Sequence, residues 1–240
     1  MSLQSVMNKQ KVNRAGNALA TTLDVVFVID GTGSMQNLLD AVKSNALTLH
    51  SRIMTALGTK QRTVLTTRVK VIIYRDVYVD SESLVESDFF TLPEQGEQFR
   101  SFVESVRAIG GGDEPESGLE ALHTAIHSDW NQDPRAVRRR QIIILMTDAS
   151  AHALDDPQRA VDPMYPKGMP ATLLDLYEEW LEEDYINGQG KRLALFSPNK
   201  DPWPIISSQW DKVTFQPCAA GNGISAEKLN DVIDFIAGSL

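Results

Sequence analysis

Asp30, Thr32 and Ser34 stand two residues apart behind the apolar run Val25-Val26-Phe27-Val28-Ile29. One carboxylate and two hydroxyls on so short a stretch are hard oxygen donors, a set that suits Mg²⁺, Mn²⁺ or Ca²⁺ rather than zinc or copper. Gly31 and Gly33 alternate with them, and glycine allows a tight turn and a close backbone approach. An aspartate or serine at this place can equally cap the helix that follows. Two further acid-tipped stretches share the pattern and weigh against capping alone. Gly110-Gly111-Gly112-Asp113-Glu114-Pro115-Glu116 is a glycine-rich loop ending in acids, and Ile143-Ile144-Leu145-Met146-Thr147-Asp148 is a second apolar run closing on a carboxylate.

The elements that must position these residues follow from periodicity. The run 25–30 is unbroken and mostly β-branched, which marks a strand covered on both faces, as in a parallel sheet flanked by helices. Leu38, Leu39, Val42, Ala46, Leu49, Ile53 and Leu57 recur at threes and fours and predict one helix over 35–57, stopped by Gly58. Strands are expected at 68–74, 141–146, 192–196 and 213–216, with a short edge strand at 89–92 after a polar, acidic connection. Helices are expected at 95–108, 116–129, 170–184 and 225–236, and 151–169 reads as a long surface loop. Strand and helix alternate throughout, so the expected fold is three-layer α-β-α, with a mostly parallel central sheet and one short antiparallel edge strand. The loops after 25–30 and 141–146 then emerge at one sheet edge, and the loop carrying Asp113 can fold over it.

Composition narrows the classes. At 240 residues, one domain over 23–240 with an N-terminal tail or extra edge segment at 1–22 is the simplest organisation. The net charge of −9 argues against nucleic acid or an anionic membrane as the main partner. No apolar run reaches the roughly 18 residues of a spanning helix, and residues 1–22 lack a signal peptide's apolar segment. The single Cys218 has no intrachain disulfide partner, so a cytoplasmic, reducing location is expected.

Asp30-Gly31-Thr32-Gly33-Ser34-Met35 resembles the D-x-T/S-x-S signature of von Willebrand factor A (vWA) domains. The stretch 110–116 with Gly118-Leu119-Glu120-Ala121-Leu122 resembles that family's second metal loop, and 143–148 its fourth-strand aspartate motif. The likeness runs from about residue 22 to 240. It implies a Rossmann-like fold and a metal-ion-dependent adhesion site built from Asp30, Thr32, Ser34, Asp113 and Asp148. In such a site Thr32 and Ser34 bind the ion through their hydroxyls, while Asp30 and Asp148 act directly or through waters. Mg²⁺, with Mn²⁺ or Ca²⁺ as alternatives, is the implied cofactor, and the last coordination position is left to a partner protein's carboxylate. The resemblance implies a stand-alone, non-catalytic protein-binding module whose partner docks at the metal edge.

Other chemistries compete. A Mg²⁺-dependent hydrolase or phosphatase would use Asp30 as nucleophile, although the second aspartate of that chemistry is replaced by Thr32; a degenerate scaffold would bind no metal. Gly33-Ser34-Met35-Gln36 lacks the second glycine of a nucleophile elbow, and no phosphate or dinucleotide loop follows a strand. Asp76 after the strand 68–74 either orients water near the metal or pairs with Arg75 at a surface turn. His123 and His127 share a helix face without the H-E-x-x-H order or an evident third ligand, which favours a solvated face. Arg138-Arg139-Arg140 reads as a solvated strand start, and Trp180, Trp203 and Trp210 as packing or groove-lining residues.

Where many vWA domains carry threonine, five residues before Gly118, this chain has Asp113, with Glu114 and Glu116 as alternative acids. Three ionised aspartates around a divalent cation leave a net charge near −1. That holds the metal tightly and makes it a poorer acceptor for an incoming carboxylate. Asp113→Thr is therefore expected to lower metal affinity and strengthen binding of an acidic partner, read by calorimetry with Mg²⁺ and with an acidic peptide; no change in either overturns the charge argument.

Overall fold

The computed structural model describes residues 21–58, 64–111, 114–222, 225 and 228–239, and the side chains of all of these except 56–58. Most of the expected tail, residues 1–20, lies outside the described residues, while Thr21 and Thr22 already belong to the first strand. Among the described residues the strands are β1 (Thr21–Asp30), β2 (Val64–Tyr74), β3 (Leu84–Glu86), β4 (Phe90–Leu92), β5 (Arg138–Met146), β6 (Lys191–Ser197) and β7 (Val213–Pro217). They form one sheet in the order β3-β2-β1-β5-β6-β7, with β4 also on β2. β2 and β5 flank β1 in parallel, β6 and β7 continue in parallel, and only β3 and β4 run antiparallel. The antiparallel edge is thus split into two short pieces, the second of them at the place expected for an edge strand.

The helices are α1 (Gln36–Asn45), α2 (Leu49–Gly58), α3 (Gly96–Ser105), α4 (Gly118–Ile126), α5 (Leu173–Leu181), α6 (Trp203–Gln209) and α7 (Lys228–Ser239). Every residue of β1 is buried, because its two faces serve two cores. Leu23, Val25, Phe27 and Ile29 pack with α1, α2, α3 and α7, together with Ile142, Ile144 and Met146 of β5. Val26 and Val28 pack with α4, α5 and α6, together with Ile143 and Leu145. Alternation along two adjacent apolar strands produces this three-layer arrangement.

The single helix expected over 35–57 is instead two helices joined by a 3₁₀ turn, Ala46–Thr48. Local side chains compete with the helical backbone there. The Asn45 amide donates to the Ala41 carbonyl at 2.8 Å, and the Thr48 hydroxyl donates to the Asn45 carbonyl at 3.1 Å. The apolar stripe continues across the break, so burial survives it. The arginine triplet 138–140 lies inside β5 rather than before it.

Asp24, fully buried in β1, is held by a two-pronged ion pair. Arg68 of β2 donates from Nε at 2.9 Å and from Nη2 at 2.6 Å, and the Asn131 backbone N–H donates at 2.7 Å. The Phe89 ring lies under the guanidinium at 4.3 Å. Removing one partner of a buried pair leaves the other charge uncompensated. Arg68 keeps some solvent and a bond to the Asp129 carbonyl, so the lower end of the usual cost applies. Asp24→Ala is expected to destabilise the fold by about 3 kcal/mol, seen as a lower urea midpoint at an unchanged slope.

Candidate functional site

The strand order makes β1 the switch point of the sheet: the chain leaves β1 toward β2 on one side, and β5 lies on the other. Loops part at such a point and leave a crevice at the carboxyl edge. Ile29 is aligned with Met146 and Asp30 with Tyr74, which sets Asp30 beside Thr147. Asp30 is 0% exposed, and both of its oxygens are engaged. Oδ1 accepts from the Thr32 backbone N–H at 2.9 Å and the Thr32 hydroxyl at 2.6 Å; Oδ2 accepts from the Thr147 hydroxyl at 2.7 Å.

Above this buried carboxylate the other oxygens meet. The Ser34 hydroxyl donates to Asp148 Oδ1 at 3.0 Å and stands 3.3 Å from Thr32 Oγ1. Asp30, Thr32, Ser34 and Asp148, read from two distant stretches of sequence, are therefore brought together. Asp113 lies outside the described residues. Its loop nevertheless comes to the same place: the Ile109 N–H donates to the Gly31 carbonyl at 3.0 Å, and the Gly33 N–H to the Gly110 carbonyl at 3.3 Å. Gly111, at φ +70°, could carry no side chain, because a Cβ there would sit 2.6 Å from Thr32 Cβ. The result is a cleft of about 260 Å³ lined by Thr32, Ser34, Glu114, Glu116, Asp148 and backbone.

The electrostatics are those of carboxylates crowded at one edge. Burial raises the Asp30 pKa above its ordinary value; the Thr32 and Thr147 hydrogen bonds oppose the shift, and the Asp148 charge adds to it. Burial also works against the Glu114 carboxylate, but Lys200 at 2.6 Å and Ser150 at 3.1 Å outweigh it and hold its pKa below the usual range. Of the two alternative acids, Glu114 is tied to a cation, while Glu116 is buried against the cleft.

Arg75 and Asp76 do not form the surface pair considered above. Arg75 is buried and donates to three carbonyls, those of Ile109 at 3.1 Å, Glu82 at 2.7 Å and Arg107 at 2.8 Å. Asp76 accepts from the Tyr78 N–H at 2.8 Å and meets His152 Nε2 at 3.2 Å. The loop 151–169 is accordingly anchored: Tyr165 donates to the buried Glu120 at 2.8 Å and stacks on Tyr78 at 5.8 Å. Trp180, Trp203 and Trp210 are core residues. His123 and His127, read as lying on a solvated face, instead meet a third side chain, Glu179 of α5. Thr147 is the residue of the site that its motif contained but did not announce, since a single threonine just past a strand gives no sign of the carboxylate it meets on the neighbouring strand.

The family model of the von Willebrand factor A domain matches residues 24–162. Among solved structures, the pilus adhesin SpaC of Lactobacillus rhamnosus GG resembles the chain at 13% identity and a TM-score of 0.52, over 91% of this chain and 31% of that one. The open conformation of the same adhesin gives 13% identity and a TM-score of 0.50, over 91% and 30%. A von Willebrand factor type A protein from Catenulispora acidiphila gives 16% identity and a TM-score of 0.49, over 92% and 43%. The chain spans less than half the length of each of these structures. No curated protein matches it in sequence.

The Thr147 hydroxyl donates to Asp30 and accepts from the Ala149 N–H at 3.0 Å, all in the interior. Thr147→Val keeps the shape but leaves a buried carboxylate oxygen and a buried N–H each short of a partner. A loss of about 2–3 kcal/mol in urea unfolding is expected, with Thr147→Ser recovering most of it.

Proposed function

The chain belongs to the von Willebrand factor A domain family, whose model covers more than half of it, and on that premise we propose that it is a non-catalytic, divalent-cation-dependent protein-binding module. The observation that carries this reading is the meeting of Thr32, Ser34 and Asp148 oxygens over the buried Asp30, at the mouth of an acid-lined cleft. Neutral hydroxyls and carboxylates, with no sulfur and no imidazole among the cleft-lining residues, fit Mg²⁺ or Mn²⁺. Thr32 and Ser34 would hold the cation, with Asp30 and Asp148 holding hydroxyls and waters in place. The glycine-rich loop would add an acid from Asp113 or Glu116, since Glu114 is engaged by Lys200. When bound, the cation supplies an acceptor for a carboxylate from the partner.

Asp30 argues against the hydrolase alternative. A nucleophile must reach its substrate, and here both carboxylate oxygens are committed inside the protein. The partner would dock over Ser34 and Asp148 and onto the loop 151–169, where Val161 and Met164 are 80% and 69% exposed. Apolar side chains beside a polar anchor are what a protein interface uses. A pilus adhesin is among the proteins that share this fold. A net charge of −9 disfavours nucleic acid as the partner, and among the described residues no helix is long and apolar enough to cross a membrane. A reducing, cytoplasmic location suits the lone Cys218, whose half-buried thiol is pushed up to about 11 by burial and by Asp148.

A cation that binds only the native state must stabilise it, by about 2.7 kcal/mol at a hundredfold excess over its dissociation constant. Mg²⁺ or Mn²⁺ is expected to raise the thermal midpoint of the native chain. Ser34→Ala should need at least about tenfold more cation for the same rise. Capture of a partner should fail both in chelator and in Ser34→Ala. A midpoint that none of Mg²⁺, Mn²⁺ and Ca²⁺ moves would overturn the proposal.

A further inference from the structure

On the helical layer away from the cleft, His123 of α4 and His127, which caps the end of that helix, stand one turn apart, their ring centroids separated by 4.4 Å. α5 brings Glu179 against both. Its Oε2 lies 2.7 Å from His123 Nδ1 and 3.3 Å from His127 Nε2, and the three donor atoms all lie within 4.8 Å of one another. The side chains are 13%, 29% and 20% exposed, so solvent reaches them while their stems are held. α4 is fixed by Leu119, Leu122 and Ile126 in the core, and α5 by Leu176 and Trp180. The His127 ring packs on Tyr185 at 4.0 Å, which limits its rotation.

Two imidazoles and a carboxylate are the ligand chemistry of zinc and its neighbours rather than of Mg²⁺. Tetrahedral bonds of about 2.0–2.1 Å put neighbouring ligand atoms about 3.3 Å apart. The two carboxylate–imidazole distances, 2.7 and 3.3 Å, are near that spacing, and the two imidazole nitrogens lie within 4.8 Å of each other, so an ion would draw the three ligand atoms together by side-chain rotation. Both imidazoles converge on one carboxylate oxygen, so the three side chains already face a common point. We propose that His123, His127 and Glu179 form a metal site for Zn²⁺-class ions, distinct from the cleft, that clasps α4 to α5. Three protein ligands leave a fourth position for water or an external ligand. The clasp also joins the two helices that follow the loops flanking the cleft: α4 follows the glycine-rich loop, and α5 follows 151–169.

The test uses the full chain without a histidine tag, in excess Mg²⁺ to occupy the hard-oxygen cleft, with Zn²⁺ titrated against a chromophoric chelator. One equivalent of Zn²⁺ is expected to bind, and Co²⁺ in its place should show the intense visible bands of tetrahedral coordination. His127→Ala and Glu179→Gln should each weaken Zn²⁺ binding by at least about tenfold, while Ser34→Ala leaves it unchanged. Glu179→Gln is nearly isosteric and partly exposed, so it decides the matter if His127→Ala does not fold. No Zn²⁺ retained against the chelator, or equal affinity in the native chain and Glu179→Gln, overturns the proposal.

Discussion

A carboxylate sealed between two parallel strands is the constraint from which the rest of this structure follows. Moving an unpaired charge out of water costs several kcal/mol, so Asp30 can stay inside only if its oxygens are met. They are met from two directions: by the turn that follows β1, through Thr32, and by the end of β5, through Thr147. Each bond therefore tests something different. The first exists only if the chain after Asp30 turns back at once, the second only if β5 lies beside β1 in the observed register. Local turn and long-range pairing are locked to one group, and the hydroxyls of the site are oriented as a consequence.

The loops above are held by a second device, and it is not an acid–base pair. Arg75 spends its guanidinium on three backbone carbonyls, two of them beside the glycine-rich loop. Loop carbonyls that no strand or helix satisfies must find donors, and a planar cation with several N–H groups serves three at once. Among the described cations, Lys200 reaches the cleft, where it engages Glu114.

Much of this was legible in the residues themselves. Unbroken β-branched runs gave the buried parallel strands, and the carboxylate-glycine-hydroxyl spacing gave Asp30, Thr32 and Ser34; the acid closing the second run gave Asp148. What escaped has identifiable causes. Asn45 and Thr48 break the first long helix through side-chain bonds that an apolar stripe does not register. α6 was missed because Pro202 and Pro204 bracket its start; proline is tolerated in the first turn of a helix, and Trp203 and Ile206 then bury the segment. The role of Arg75 depends on carbonyls up to 34 residues away. Glu179 meets His123 across 56 residues, a neighbourhood made by the packing of α5 on α4 and by nothing in either helix alone.

The division of labour within the cleft bears on how a cation could enter it without loosening the fold. Thr32 donates to Asp30, and Ser34 donates to Asp148, so each hydroxyl proton already points at a carboxylate and each hydroxyl oxygen keeps lone-pair capacity. A cation approaching from solvent needs those oxygens and not those protons. The buried bonds of Asp30 can persist while it does so, and the one exposed side chain among the four, Ser34, is the one whose bond is cheapest to reshape. On the proposed function, stability resides in Asp30 and Thr147, below the surface, and recognition in Ser34 and the rim.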